Sequence, residues 1–274
     1  MSETLYRKYR PKSFKDVGGQ DHIVSVLEAG IKKGLINHAY LFAGSRGTGK
    51  TSVARIFAKA IETADDDVYE IDAASNNGVD EIRLIKEAVQ TLPFHSKYKV
   101  YILDEAHMLS KPAWNALLKT LEEPPAHVIF ILATTEMEKV PETALSRCQV
   151  FQFKKPTHAV LKKVVEDIAK AEGFSIDKGS SELITFLGDG SFRDAQSLLQ
   201  KVITASNDKK ITIEEVEKIT GAPRGKLIEE IISGIEEKDV PKSLLAIEKA
   251  KEQNIDMKLL LRLILERVRA ILLL

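Results

Sequence analysis

The chain has 274 residues, with Lys+Arg 40 against Asp+Glu 40 and a formal net charge of zero. That length calls for about two or three domains, and the balanced charge excludes nucleic-acid recognition through a global field, so any such contact needs a local patch. One cysteine, Cys148, excludes a disulfide framework and a cysteine zinc site within the chain and fits a reducing compartment.

The first ten residues, Met1 to Arg10, contain no apolar signal core, and the apolar stretch near the end is interrupted by Arg262, Glu266, Arg267 and Arg269. A soluble cytoplasmic protein with no membrane partner is expected. Tyr6 to Lys12 is basic and aromatic and contains Pro11, which predicts an extended segment. It suits either the lining of a base pocket or a solvated basic arm. Apolar residues at 23, 24, 27 and 31 predict a helix from Asp21 to Ile31.

The apolar run Ala39 to Ala43 leads into Gly44-Ser45-Arg46-Gly47-Thr48-Gly49-Lys50-Thr51 and then Ser52 to Ala58. Strand, glycine-rich turn and helix in that order make a phosphate cradle. Its glycines let successive N–H groups converge, and the helix start adds a positive dipole end. Lys50 would reach the β and γ phosphates, and the Thr51 hydroxyl would sit on Mg²⁺. The competing reading is a glycine-rich surface turn.

Asp65-Asp66-Asp67 reads as an exposed, solvated turn before a strand at Val68 to Ile71. Ser75-Asn76-Asn77-Gly78 opens a helix over Asp80 to Val89, with Ile82, Ile85 and Val89 as its buried stripe. Its polar start, with Arg83, suits a nucleic-acid backbone or an ordinary helix cap. Val100 to Glu105 is an apolar strand ending in two carboxylates. Ligands of open α/β sheets bind at the carboxyl ends of strands, so Asp104 would hold Mg²⁺ and Glu105 would orient the attacking water. His107 reads as a packing or hydrogen-bonding residue.

A helix over Trp114 to Leu121 stops before Glu123-Pro124-Pro125, and the strand His127 to Ala133 ends in Thr134-Thr135, where a hydroxyl suits sensing of a γ-phosphate. Ser146-Arg147-Cys148 and the strand Gln149 to Phe153 close a βα alternation that predicts a parallel sheet covered by helices. After Pro156 the chain reads as helical, with no strand pattern of comparable strength. Thr157 caps a helix to Ala171 that Gly173 ends, and further helices fall at about 180–187, 191–206 and 212–220. Arg193 lies in the first turn of its helix, an unfavourable end for a cation without an anion nearby.

Gly221-Ala222-Pro223 is a second linker, followed by helices over Lys226 to Ile235, Val240 to Glu252 and Asp256 to Leu274. In the last, Leu260, Leu261, Ile264, Leu265, Val268, Ile271 and Leu272 form a stripe that calls for a partner surface or packing within a small helical domain. The end at Leu272-Leu273-Leu274 suggests a domain cut short. The boundaries expected are 1–155, 156–220 and 221–274.

Several stretches together resemble the AAA+ clamp-loader ATPases of the bacterial DNA polymerase III gamma/tau type. They are Tyr9 to Phe14, Gly44 to Thr51, Ile71 to Asn76, Leu103 to Leu109, Asn115 to Pro125, Leu132 to Thr135, Ser146 to Cys148 and Gly190 to Ala195. The Ser-Arg-Cys triplet and the helix ending in Glu-Glu-Pro-Pro are more specific than the phosphate loop, which any NTPase carries. The resemblance implies an AAA+ core, a helical lid and a helical collar, with ATP and Mg²⁺ as cofactors. It implies Arg147 as an arginine finger acting on a neighbouring subunit, Thr135 beside Thr134 as sensor 1, and Arg193 as sensor 2. Arg10, Pro11 and Val17 fall where the family lines the adenine pocket. Implied partners are other clamp-loader subunits in a ring, the sliding clamp and primer-template DNA, with Ser75, Asn76, Asn77 and Arg83 as DNA-contact candidates.

Two departures stand out. Ala60 to Asp67 bridges a gap where family members usually carry a four-cysteine zinc module, so no zinc is expected. Gly18 replaces a residue that is usually bulky, which is expected to loosen the nucleotide pocket. Other readings are a stator-like subunit that holds nucleotide without turnover, and another AAA+ machine such as a branch-migration helicase or an unfoldase. Lys50, Thr51 and Glu105 argue against the first. The Ser-Arg-Cys triplet and the lack of an evident aromatic pore motif argue against the second.

Overall fold

The computed structural model describes residues 3–206 and 208–272. Leu273 and Leu274, on which the expected truncation rests, lie outside the described residues, as do Met1 and Ser2. The chain divides into two compact units: one runs to Leu161 and takes in Gly188–Asp194, and the other comprises Lys162–Leu187 and the chain from Ala195.

The first unit begins with helix α1 (Leu5–Lys8), which corrects the extended prediction for Tyr6 to Lys12. Pro11 restricts only Arg10 before it, and burial of Leu5 favours one helical turn upstream. There follow α2 (Asp21–Lys32), β1 (Ala39–Ala43), α3 (Lys50–Ala60), β2 (Val68–Asp72), α4 (Val79–Ala88), β3 (Lys99–Asp104), α5 (Lys111–Glu122), β4 (Val128–Thr134), α6 (Glu142–Leu145) and β5 (Gln149–Gln152). The strands form a 5-stranded sheet of order β2-β3-β4-β1-β5, and every pairing in it is parallel. Residues of β1, β3 and β4 are buried on both faces, which is why they read as continuous apolar runs. Tyr101, Phe130, Leu132 and Leu117 lie on one side, and Phe42, Ile102, Ile131 and Phe57 on the other. Each such side chain contributes about 1.5–3 kcal/mol on burial.

Local chemistry sets the ends. Ser110 caps α5 by accepting the Ala113 N–H at 3.3 Å, with Pro112 in the first turn where its missing N–H costs nothing.

Asp67 corrects the prediction of a solvated Asp65–Asp67 turn. It is fully buried, and its carboxylate accepts the backbone N–H groups of Phe94 at 2.6 Å, His95 at 2.9 Å and Ser96 at 2.9 Å. Burial pushes its pKa up, but those donors together outweigh burial and hold it below the ordinary value of 3.8. The bonds therefore stabilise the fold above the unfolded-state pKa, and that contribution is lost as pH falls through the lower folded value. Asp67→Ala is expected to cost on the order of 3 kcal/mol at neutral pH by leaving backbone donors unpaired, and much less in acid. Urea denaturation at neutral pH and in steps below pH 3.8 checks both statements, with the difference between parent and variant shrinking as pH falls through the folded-state value.

Beyond β5 come α7 (His158–Ala171), β6 (Ser175–Ile176), α8 (Lys178–Leu187), α9 (Phe192–Ala205), β7 (Lys210–Ile211), α10 (Ile213–Thr220), α11 (Gly225–Glu236), α12 (Val240–Glu252) and α13 (Met257–Leu272). The region is helical as expected, apart from β6 and β7, which pair as a two-stranded parallel ladder too short to leave a periodic signal. Within the second unit, Leu227, Ile231 and Ile232 of α11 pack with Ala246 and Ala250 of α12 and with Leu260, Ile264 and Val268 of α13. The predicted stripe on α13 is thus split. Leu260, Ile264 and Val268 serve this core, whereas Leu261, Leu265, Ile271 and Leu272 are exposed. Among the described residues no helix is long and apolar enough to cross a membrane.

Candidate nucleotide site

The site forms on the first unit, at the carboxyl edge of the sheet. The loop Gly44 to Gly49 joins β1 to α3, and its first N–H donates to the Thr134 carbonyl at 3.1 Å, tying it to the end of β4. Two glycines are required for packing as well as conformation. A Cβ on Gly44, at φ 152, would come within 2.5 Å of the Phe153 carbonyl oxygen, and one on Gly47, at φ 72, would collide with the Ser191 hydroxyl. The Gly47 carbonyl also accepts the Phe192 N–H at 2.9 Å, so the crest of the loop is docked on the segment that carries Arg193.

Lys50 is 6% exposed, and its Nζ donates to the carbonyls of Gly44 at 2.7 Å and Ser45 at 3.0 Å. Burial lowers its pKa, while Glu105 and Asp104 nearby raise it. Thr48 closes the loop by donating to the Ser45 carbonyl at 2.8 Å. Ser45 and Arg46 are exposed, and Ser52 is half-buried at the start of α3.

The Thr51 hydroxyl donates to Asp104 Oδ2 at 2.8 Å, so two hard oxygen donors converge beside the loop, the donor chemistry a magnesium ion selects. Asp104 Oδ1 accepts the Glu105 N–H at 2.9 Å, and Glu105 adopts φ 48, a left-handed conformation uncommon outside glycine and asparagine. Strain of this kind collects at functional sites. Thr135 Oγ1 donates to Glu105 Oε2 at 3.0 Å, while Thr134 Oγ1 lies 3.0 Å from His107 Nδ1. His107 Nε2 lies 3.2 Å from Glu136 Oε1, so the ring sits between Thr134 and that carboxylate. Of the adjacent threonines, then, Thr135 meets the Glu105 carboxylate and Thr134 serves the histidine.

Arg7, Arg55 and Arg193 gather around Arg10. Arg193, in the first turn of α9, stacks over the Tyr6 ring at 5.8 Å, a cation–π distance. Burial depresses the Arg10 pKa, the neighbouring Arg55 depresses it further, and Glu70 opposes both. Glu70 itself pairs with Arg55. Pro11 is half-buried, and Val17 packs on the Phe14 and Phe42 side of the core. A Cβ at Gly18 would lie 3.1 Å from Val160, so Val160 packs close to this position.

Of the residues singled out for DNA, Ser75, Asn76 and Asn77 lie on the turn before α4 and Arg83 lies within that helix. Ser75 Oγ donates to Asp72 Oδ2 at 3.2 Å and Asn76 Nδ2 to the Asp72 carbonyl at 3.0 Å, so both side chains build the turn. The Asn77 carbonyl accepts the Ser110 N–H at 3.1 Å, and Arg83 is exposed and paired with Asp80 at 2.9 Å.

Arg147 is not gathered into this site in its own chain. Its NH2 donates to Glu122 Oε1 at 2.6 Å and its NH1 to the Thr143 carbonyl at 2.6 Å and to Ser146 Oγ at 3.3 Å. Beside it, burial pushes the Cys148 thiol up to about 11, which keeps it protonated and unreactive. Sequence reasoning missed Tyr6, Glu122, Glu136 and Ser191. Tyr6 lay in the basic aromatic segment read as a base-pocket lining, and Glu122 and Ser191 lay in stretches that carried the resemblance, but no individual role was assigned to any of them.

Comparison with known proteins places the chain in a family and a fold. A family profile described as "DNA polymerase III, delta subunit" matches residues 19–77 and 61–157. The DNA polymerase III subunit tau of Bacillus subtilis is 45% identical over 93% of this chain and 49% of its own length. The gamma subunit of Buchnera aphidicola is 36% identical over 93% of this chain and 76% of its own length. The chain spans about half the length of the Bacillus relative. Among solved structures, the RuvB Holliday junction branch migration motor of Thermotoga maritima superposes with a TM-score of 0.65 over 83% of this chain and 80% of that one, at 23% identity, a likeness of AAA+ fold alone. By sequence over most of its length, this chain belongs to the DNA polymerase III gamma/tau subunit family.

Proposed function

We propose that this chain is the ATP-hydrolysing motor part of a bacterial clamp loader, one that places a sliding clamp on primer-template DNA. The observation that carries the proposal is the convergence of Lys50, Thr51, Asp104, Glu105 and Thr135 at one edge of the sheet, while Arg147 is held outside it. Family membership supports the same reading.

In this reading the loop N–H groups and Lys50 hold the β and γ phosphates, with Ser45, Arg46, Thr48 and Ser52 around them. Arg10, Pro11 and Val17 take the adenine end. Thr51 and Asp104 would hold Mg²⁺, which when bound neutralises charge on the phosphate oxygens. Glu105 orients the water that attacks the γ-phosphorus in line with the departing β-phosphate oxygen. Thr135 fixes the Glu105 carboxylate, and Arg193 faces the γ-phosphate. Arg147 completes the site of a neighbouring subunit, so turnover needs assembly into a ring. Residues 156–220, drawn mostly from the second unit, form a lid, 221–274 within that unit form a collar, and the exposed face of α13 meets other subunits of the ring. Ser75, Asn76, Asn77 and Arg83 lie where α4 meets the DNA backbone, and the setting is the cytoplasm.

The test is ATP turnover by the assembled complex, with clamp and a recessed primer end added separately and together. Turnover is expected to rise with each and most with both. Nucleotide retained without turnover under all conditions would mark a holding subunit and overturn the proposal.

A further inference from the structure

We propose that Glu122 is a positioning residue for Arg147: its carboxylate holds the guanidinium in the orientation that meets a neighbouring subunit's triphosphate. This rests on the reading of Arg147 as a residue acting across a subunit boundary.

Glu122 is the last residue of α5. A carboxylate at that end faces the negative pole of the helix and is destabilised unless a cation answers it. Arg147 answers it at 2.6 Å, a short charge-assisted bond. A second anchor, the Thr143 carbonyl at 2.6 Å, takes a different nitrogen of the same planar group. Two anchors on two nitrogens fix the plane, and the remaining N–H groups can still meet an anion.

The anchor is itself rigid. Thr120 and Leu121, just before Glu122, are buried, and Leu121 shares a core cluster with Ala144 and, at its margin, Leu145 and Cys148 on either side of Arg147. Glu122 is therefore fixed to the same packed body from which Arg147 projects. A long arginine side chain otherwise carries about 2 kcal/mol of rotamer entropy, and prior orientation removes part of that loss from the reacting state. The pair contributes little to folding, because its side chains are 32% and 49% exposed and surface ion pairs are weak. Removing the carboxylate should therefore disturb orientation and spare the fold.

The experiment compares Glu122→Ala, Glu122→Gln, Arg147→Ala and the double variant Glu122→Ala/Arg147→Ala in the assembled complex with clamp and primed DNA. Complex formation is followed by gel filtration. Glu122→Ala is expected to lower kcat about 10–100-fold with KM for ATP unchanged, since misplacement by about 1 Å costs that much. Glu122→Gln, which keeps an acceptor, should lose less. The double variant should be no slower than Arg147→Ala, because Glu122 acts only through that arginine. Parental or faster turnover in Glu122→Ala alongside an inactive Arg147→Ala would overturn this inference and leave the function intact. An additive double variant, or a failure of both Glu122 variants to assemble, would overturn it too. Full activity in Arg147→Ala would overturn the functional reading itself.

Discussion

Replacing Arg147 by alanine is expected to lower clamp- and DNA-stimulated turnover by about 10³–10⁵-fold, the range an arginine supplied from a neighbour contributes to phosphoryl transfer. Affinity of the variant's own site for a nucleotide analogue should not change. The two readouts separate because the guanidinium is bound to Glu122 and Thr143, and Lys50, Thr51, Asp104 and Glu105 are arranged without it. A complex built from parental and variant chains should be slow at the sites that face a variant arginine. Equal loss of affinity and turnover in the isolated chain would instead place Arg147 at its own nucleotide and refute the assignment.

The second large effect is expected from Glu105→Gln. An amide keeps the shape and the capacity to accept from Thr135, but it loses the negative charge that polarises water, and positioned acid–base groups contribute about 10²–10⁴-fold. Turnover should fall by that range while ATP affinity changes far less, because the phosphate loop and the Thr51–Asp104 contact stay in place and the variant removes only one of the two carboxylate charges near Lys50. Single-turnover quench-flow on the assembled complex checks it. The left-handed φ of 48 at this residue is independent of its charge and will persist in the variant. A comparable loss on Glu105→Asp would assign the effect to reach as well as charge.

Much of the fold was legible because its determinants are local. Buried parallel strands advertise themselves as apolar runs, and the phosphate loop is a continuous pattern of glycines, Lys50 and Thr51, so sheet, loop and the Asp104-Glu105 end of β3 could be placed from the chain alone. What escaped depends on partners far along the chain. Asp67 looks solvated beside Asp65 and Asp66, and only a loop 27 to 29 residues on supplies the donors that bury it. The stack of Arg193 on Tyr6 spans almost the whole first unit, and the Arg147–Glu122 pair joins segments 25 residues apart. The helical turn at Leu5 to Lys8 was hidden by the basic, proline-bounded texture around it, since burial of one leucine outweighs a local preference. Val160 beside Gly18 is a contact no single-residue reading can reveal.

On the proposed function, the grip of Lys50 on the carbonyls of Gly44 and Ser45 bears on how ATP would enter. An ammonium already satisfied by its own loop braces that loop from within, so the receptive shape does not wait for a guest to create it. An arriving triphosphate swaps oxygen for oxygen around one nitrogen, and the entropic penalty of organising a slack segment is largely avoided. On the proposed function, capture of ATP would then be quick and reversible, and commitment would wait for the later step in which a neighbouring subunit supplies its arginine.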